Sequence, residues 1–319
     1  MRAYQVNELG KIPSLVDIPT PEPKEGEVRV KIHACGLNFA DLLLLKGQYQ
    51  EKPTLPFTLG FEVAGVVDAC GPGVSFPPVG TRVAVMGNSG GLADYGVFPA
   101  NRCLPIPDKM PAEHAAAFQV AYGTSHLALT QRAALKKGET LLVLGAAGGV
   151  GLTAVEIGKK LGATVIACAR GADKLAAAKA AGADHLIDST DADITAAVKD
   201  LGGADVVYDP VGGDQFTAAL KSCKRGARLL VIGFASGDVP PIPANILLVK
   251  NISVIGFYWG GYLSIDAPAL IGSLGELLQW YEKGELHPHV SNVLPLEQAH
   301  DALELLRTRK STGKVIVTM

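Results

Sequence analysis

The hydrophobic and polar positions of the chain change period twice. From Met1 to about Phe118, short alternating or apolar runs such as Glu27 to His33, Glu62 to Val67 and Thr81 to Met86 follow the two-residue period of strands. Glycine and proline clusters at Pro21 to Gly26, Gly71 to Gly73 and Phe76 to Gly80 separate these runs and supply turns. This half is expected to be largely β and barrel-like.

At about Ala115 the pattern becomes an alternation of strands and helices. Buried strands are predicted at Thr140 to Leu144, Thr164 to Ala169, Ala204 to Tyr208 and Arg228 to Ile232, with helices at Val150 to Leu161 and Asp173 to Ala181. Short apolar strands joined by amphipathic or alanine-rich helices imply a parallel sheet covered on both faces, a doubly wound domain. Ile252 to Phe257 is expected to close that sheet. Beyond Gly261 come a helix over Ala269 to Glu282, a second over Leu296 to Arg309 and a strand at Lys314 to Val317. This tail is too short to fold alone, so it is expected to return to the first half. The predicted organisation is a discontinuous outer domain, residues 1–118 and 263–319, with a dinucleotide-binding domain inserted at 119–262.

The run Gly138 to Gly151 carries the most chemistry. Its sequence Gly145, Ala146, Ala147, Gly148, Gly149, Val150, Gly151 follows a buried strand and opens a helix, where free backbone N–H groups and the helix dipole hold a pyrophosphate. Gly148 and Gly149 would allow close phosphate approach, and Gly151 would allow helix against strand. About 20 residues on, at the end of the next strand, NAD-selective proteins place an acid on the ribose hydroxyls. This chain has Ala169 and Arg170 there, with Lys174 nearby. Two cations and no acid favour the extra phosphate of NADPH. The other reading leaves Arg170 and Lys174 as solvated surface cations, with Asp173 pairing locally.

Composition and charge narrow the classes. Hydrophobic residues make up 48% and charged residues 19% of 319, a balance that supports two packed cores and leaves no disordered tract. A net charge of -2 gives no global footprint for nucleic acid or an anionic membrane. The apolar runs Leu42 to Leu45 and Leu141 to Gly151 fall short of the roughly 20 residues of a membrane span. No apolar signal core follows Arg2, and Cys35, Cys70, Cys103, Cys168 and Cys223 are scattered without close pairs. A cytoplasmic protein with cysteines serving as small buried hydrophobes is expected. His33 and Cys35, two apart on a predicted strand, would share one face.

Gly60, Phe61, Glu62, Val63, Ala64 and Gly65 resemble the glycine and glutamate signature of the medium-chain dehydrogenases and reductases. Gly138 to Lys159 resembles the quinone oxidoreductase signature, with Glu156 where that signature carries Gln. The likeness covers essentially the whole chain. It implies a doubly wound parallel Rossmann sheet inserted in a discontinuous GroES-like β-barrel catalytic domain. In the family's zinc alcohol dehydrogenases, a Cys and a His bind catalytic zinc at the positions of Asn38 and Phe61. Phe cannot coordinate and an Asn amide is a poor ligand, so no metal is expected.

Without a Lewis acid, the expected substrates are acceptors that take hydride readily, quinones or conjugated enones. The segment Gly36 to Asp41 with Lys46 to Tyr49 resembles the quinone oxidoreductase active-site region and makes Asn38 and Tyr49 the catalytic candidates. Asn38 would orient cofactor or acceptor, and the Tyr49 hydroxyl would meet a developing oxyanion or relay a proton. The alternative is a passive role, with Asn38 ordering a turn and Tyr49 lining a groove.

The aromatic run Gly256 to Tyr262, with Phe257, reads either as a wall of the cofactor pocket or as part of a homodimer interface, because the family's last sheet strand commonly pairs between subunits. The resemblance further implies that Gly233 and Phe234 approach the cofactor and that Lys314 reaches its phosphates. Family members often carry a Tyr after the third strand, where this chain has Leu186, Ile187, Asp188 and Ser189, so mixed use of NADH and NADPH stays open. The expected function is NADPH-dependent reduction of quinones or similar activated conjugated carbonyls by hydride transfer, without zinc. The alternatives are an enone or enoyl-thioester reductase and a non-catalytic, crystallin-like NADPH-binding protein.

Overall fold

A computed structural model describes residues 1–319. The chain divides into two units, Met1–Val120 with His287–Met319, and Ala121–Leu286. The first opens with β1 (Arg2–Val6), β2 (Ser14–Asp17), β3 (Glu27–Leu37), α1 (Phe39–Leu45), β4 (Phe57–Thr58), β5 (Glu62–Cys70), β6 (Arg82–Met86), β7 (Tyr95–Pro99), β8 (Cys103–Pro105) and α2 (Ala112–Ala115). From α3 (Gln119–Leu127) the chain enters the second unit: β9 (Thr140–Leu144), α4 (Gly149–Lys160), β10 (Thr164–Ala169), α5 (Ala172–Ala180), β11 (His185–Asp188), α6 (Ile194–Asp200) and β12 (Ala204–Asp209). It continues through α7 (Gly213–Ser222), β13 (Cys223–Val231), α8 (Ala244–Lys250), β14 (Ser253–Gly256), α9 (Tyr262–Ile265) and α10 (Ala267–Glu282). The last elements, β15 (Val290–Pro295), α11 (Ala299–Arg307) and β16 (Lys314–Thr318), belong to the first unit.

In the first unit the main sheet runs β15-β16-β3-β5-β6-β8, with β7 also on β3. The returning β16 lies antiparallel to the end of β3, with Ile316 opposite Gly36 and Val317 opposite Cys35. Val28, Val30, Ile32, Val63, Val85, Val315 and Val317 meet in one buried cluster, which is what holds the C-terminal tail in place. The pleat of β3 is interrupted where its register with β5 shifts between Ile32 and Ala34. This bulge separates two residues expected on one face: His33 is exposed and Cys35 buried.

The second unit has the expected parallel sheet, in the order β11-β10-β9-β12-β13-β14. Leu141 to Leu144 and Val165 to Cys168 are buried without a break, as strands covered on both faces require. Four of the five cysteines are buried and all are free, and burial pushes the thiols of Cys168 and Cys223 up to about 12.

The point of return differs from the expectation of residue 263. Helix α10 belongs to the second unit, and the first unit resumes only at His287. The reason is its apolar stripe, Leu270, Leu274 and Leu277, which is buried. Ser273 Oγ lies 2.8 Å from His126 Nδ1 on α3, the His126 ring meets the Trp280 ring edge-on at 5.0 Å, and Lys160 at the end of α4 pairs with Glu285 at 2.7 Å. No helix is long and apolar enough to cross a membrane.

Candidate active site

The glycine-rich turn between β9 and α4 owes its shape to two glycines. Gly145 has φ +56, which favours glycine. A Cβ on Gly151 would lie 2.2 Å from Gly145 O and 2.9 Å from Ala146 Cα, so only glycine lets the first turn of α4 close against the strand end. Gly148 caps the helix without a side chain, and the first helical bond runs from Leu152 N to Gly148 O. The N–H groups of Gly149, Val150 and Gly151 therefore face outward at the positive end of the helix dipole. Ala147 is buried beside them.

Behind the turn lies a support that periodicity does not reveal. Ser125 Oγ sits 3.0 Å from Val150 O, 2.8 Å from Thr153 Oγ1 and 3.0 Å from the hydroxyl of the fully buried Tyr208. One turn further along α4, Tyr122 donates its hydroxyl proton to Glu156 Oε2 at 2.6 Å. Burial and that carboxylate raise the Tyr122 pKa. The Glu156 departure from the signature thus has a partner inside the fold.

On the neighbouring strand, Ala169 ends β10 and Arg170 is exposed immediately after it. The turn is pinned from the neighbouring strand: Asp188, opposite Ala169, accepts the Gly171 N–H at 3.1 Å and the Thr190 N–H at 2.9 Å through Oδ1. These two donors hold the Asp188 carboxyl below the usual range. Lys174 lies half-buried one turn into α5.

Asp209 organises the loops after β12 and β13. Its buried Oδ1 accepts from Val211 N at 2.7 Å and Gly212 N at 2.9 Å, while its main-chain oxygen accepts from Ile232 and Gly233. Burial raises the Asp209 pKa. Gly233 is thereby tied down and Phe234 is left exposed beside it. Phe257 is buried against Tyr262, with ring centroids 5.4 Å apart, and Trp259 covers Gly123 so closely that a Cβ there would lie 2.7 Å from the indole.

In the first unit, β3 delivers Asn38 as the N-cap of α1. Its Nδ2 donates to Glu62 Oε2 at 2.8 Å and Gly36 O at 3.2 Å, and its Oδ1 accepts from Lys314 Nζ at 2.7 Å. Lys314 also pairs with Glu62 Oε2 at 2.8 Å, and Glu62 Oε1 accepts the Val120 N–H at 2.9 Å. This corrects the expectation that Lys314 reaches cofactor phosphates: it is 5% exposed, with its ammonium held between Asn38 and Glu62.

Beneath them Asp41, fully buried, accepts the Asn38 main-chain N–H at 2.8 Å while its Oδ1 has no partner. Burial pushes the Asp41 carboxyl up to about 7, against the lowering effect of the Asn38 N–H and the Lys314 charge. Tyr49, half-buried, stacks on the buried ring of Phe61, with centroids 6.3 Å apart and planes 17° apart.

Residues 24–108 match the alcohol dehydrogenase GroES-like domain family and residues 149–275 the zinc-binding dehydrogenase family. Quinone oxidoreductase-like protein 2 of Bos taurus is 41% identical over 323 residues, spanning 100% of this chain and 92% of the relative. The chain belongs to the quinone oxidoreductase family of the medium-chain dehydrogenases and reductases. The solved quinone oxidoreductase of Thermus thermophilus, described with its NADPH complex, shares 37% of its residues with this oxidoreductase at a TM-score of 0.90, with 100% of each chain covered. The Escherichia coli quinone oxidoreductase complexed with NADPH is 28% identical, with a TM-score of 0.92 and full coverage of both chains.

One matched family carries zinc in its description, and the residues here do not fit that metal. Where the resemblance to the zinc enzymes implies an imidazole ligand, the chain has a phenyl ring, Phe61, packed on Tyr49. Where it implies a thiolate, the chain has the Asn38 amide, hydrogen-bonded to an ammonium group. No cluster of three or more His, Cys, Asp or Glu side chains in the chain is arranged to hold an ion.

Proposed function

We propose that this oxidoreductase reduces quinones with NADPH by hydride transfer and without zinc. The observation that carries the reading is the side-chain set at positions 38 and 61: an amide bound to Lys314 and a phenyl ring stacked on Tyr49 offer no Lewis acid. An acceptor here must carry its own activation, and a quinone does so by delocalising the incoming charge onto its second oxygen. Bound NADPH supplies the hydride.

The outward N–H groups of Gly149, Val150 and Gly151 hold its pyrophosphate, with Ala147 and Gly148 shaping the approach. Arg170 and Lys174 take the 2′-phosphate. Gly233, Phe234 and Phe257 line the cofactor. Asn38 fixes the orientation of the reactants, and the Tyr49 hydroxyl donates to the quinone oxygen as charge builds there, so that the hydride and a proton together give the hydroquinone. NADPH in the solved relatives' complexes supports this choice of cofactor.

The same reading includes a homodimer formed through β14, which has a free sheet edge, and the preceding α8, where Leu248 is 78% and Val249 63% exposed. Five free cysteines fit the reducing cytoplasm.

Turnover of NADPH with ortho-quinones, para-quinones, enones and simple aldehydes tests the assignment. The expected result is oxidation of NADPH with the quinones. Activity confined to enones would move the substrate class, activity confined to simple aldehydes would defeat the activated-acceptor argument, and tight NADPH binding without turnover would favour the crystallin-like alternative.

A further inference from the structure

The polar cluster at the end of β3 has more order than a cap needs. Asn38 has two amide protons, and both point inward, to Glu62 Oε2 and Gly36 O. Its carbonyl oxygen accepts from Lys314 Nζ, and Lys314 in turn is paired with Glu62, whose other oxygen holds Val120 N. Lys314 and Glu62 are both buried, so solvent does not compete for these bonds and the ion pair keeps its geometry. An amide flip would set Nδ2 against an ammonium and Oδ1 against a carboxylate, two repulsions in a dry environment. The cluster therefore admits one orientation of Asn38. By the donor inventory, that orientation leaves Asn38 no proton to offer outward; what remains is the second lone pair of Oδ1.

We propose that Lys314 and Glu62 are positioning residues for Asn38: their buried ion pair locks the carboxamide so that it presents only an acceptor, suited to a hydroxyl or amide donor on a bound ligand and unsuited to an oxyanion. The proposal rests on Asn38 serving the reaction as described above. It gives the C-terminal strand β16 a functional part, since it is this strand that carries Lys314 to the site. Stabilising the developing oxygen charge then falls to Tyr49 and not to Asn38.

Removing Lys314 alone leaves Glu62 charged and buried, which threatens folding. The informative protein is therefore the Glu62→Gln/Lys314→Met double variant, which removes both charges and keeps the side-chain volumes close. In this variant kcat with a quinone should fall by about tenfold or more, as expected when a reacting group loses its fixed orientation, while KM for NADPH stays within about twofold. Asn38→Ala added to it should cost little more, because the two changes disable one device.

If the losses from Asn38→Ala and from the double variant multiply, or if the double variant keeps full kcat while Asn38→Ala loses it, the clamp is refuted. A second readout does not depend on turnover. The side-chain amide proton resonances of Asn38, assigned by their loss in Asn38→Ala, should sit apart from those of solvated amides in the wild type and move towards them in the double variant. Unmoved resonances would also refute the clamp. If instead they move as expected but Asn38→Ala leaves kcat unchanged, the clamp stands and the catalytic assignment of Asn38 falls.

Discussion

Arg170 follows the end of β10 with an alanine before it, and Asp188 of the next strand is engaged by the Gly171 and Thr190 N–H groups. Arg170→Glu should weaken NADPH binding at least about tenfold, the loss of one charge-assisted phosphate bond with repulsion added, and should change NADH binding much less. Fluorescence titration with both cofactors measures this, and equal losses would show that Arg170 supports the loop and not the phosphate.

Asp41 offers a second test. Its carboxyl, raised to about 7 mainly by burial, keeps its proton in the fold at pH values where the unfolded chain has lost it. The groups facing it are Lys314 and Glu62, which neutralise one another, and the buried thiol of Cys35. Its contribution to stability is complete below about pH 4 and is lost as pH rises through about 7. Asp41→Asn has no proton to lose, so its Tm should gain on that of the wild type between about pH 5 and about pH 8. Parallel Tm curves would mean that Asp41 is ionised in the fold throughout.

Among the elements, those with a strong period or a strong stop are legible in the sequence. Thr140 to Leu144 and Thr164 to Ala169 stand where the apolar runs set them, and α4 opens inside the glycine run, at Gly149. What escapes a reading of the sequence is information carried by distant partners. The period of α10 marks it as a helix, but its allegiance depends on His126 and Lys160, more than a hundred residues earlier. The β3 bulge that parts His33 from Cys35 is set by the register of β5.

Lys314 contacts residues 252 and 276 positions away, and its one local signal is a cation directly before the apolar run Val315 to Val317, which calls for a buried partner. For β14 and α8 the prediction is assembly: Leu248→Asp with Val249→Asp should convert a dimer to a monomer of unchanged circular dichroism, as read by light scattering. A wild type that is monomeric at micromolar concentration would contradict the interface.

At the scale of the whole molecule, the division of labour is between a parallel sheet whose first strand-to-helix turn is built from glycine geometry and a β unit whose polar cluster is built around an ion pair. The first is readable because phosphate recognition by a helix start needs particular glycines at particular spacings. The second is readable only as an absence, Asn38 and Phe61 where metal ligands would stand, and the ammonium group that completes it comes from the far end of the chain. Together they define the central claim, quinone reduction by NADPH with no metal. It is tested most directly by the initial rate of NADPH oxidation with a quinone, using protein dialysed against a chelator and assayed for zinc in the same sample. The full rate is predicted in protein essentially free of zinc, and a rate that rises in proportion to zinc content would contradict the account.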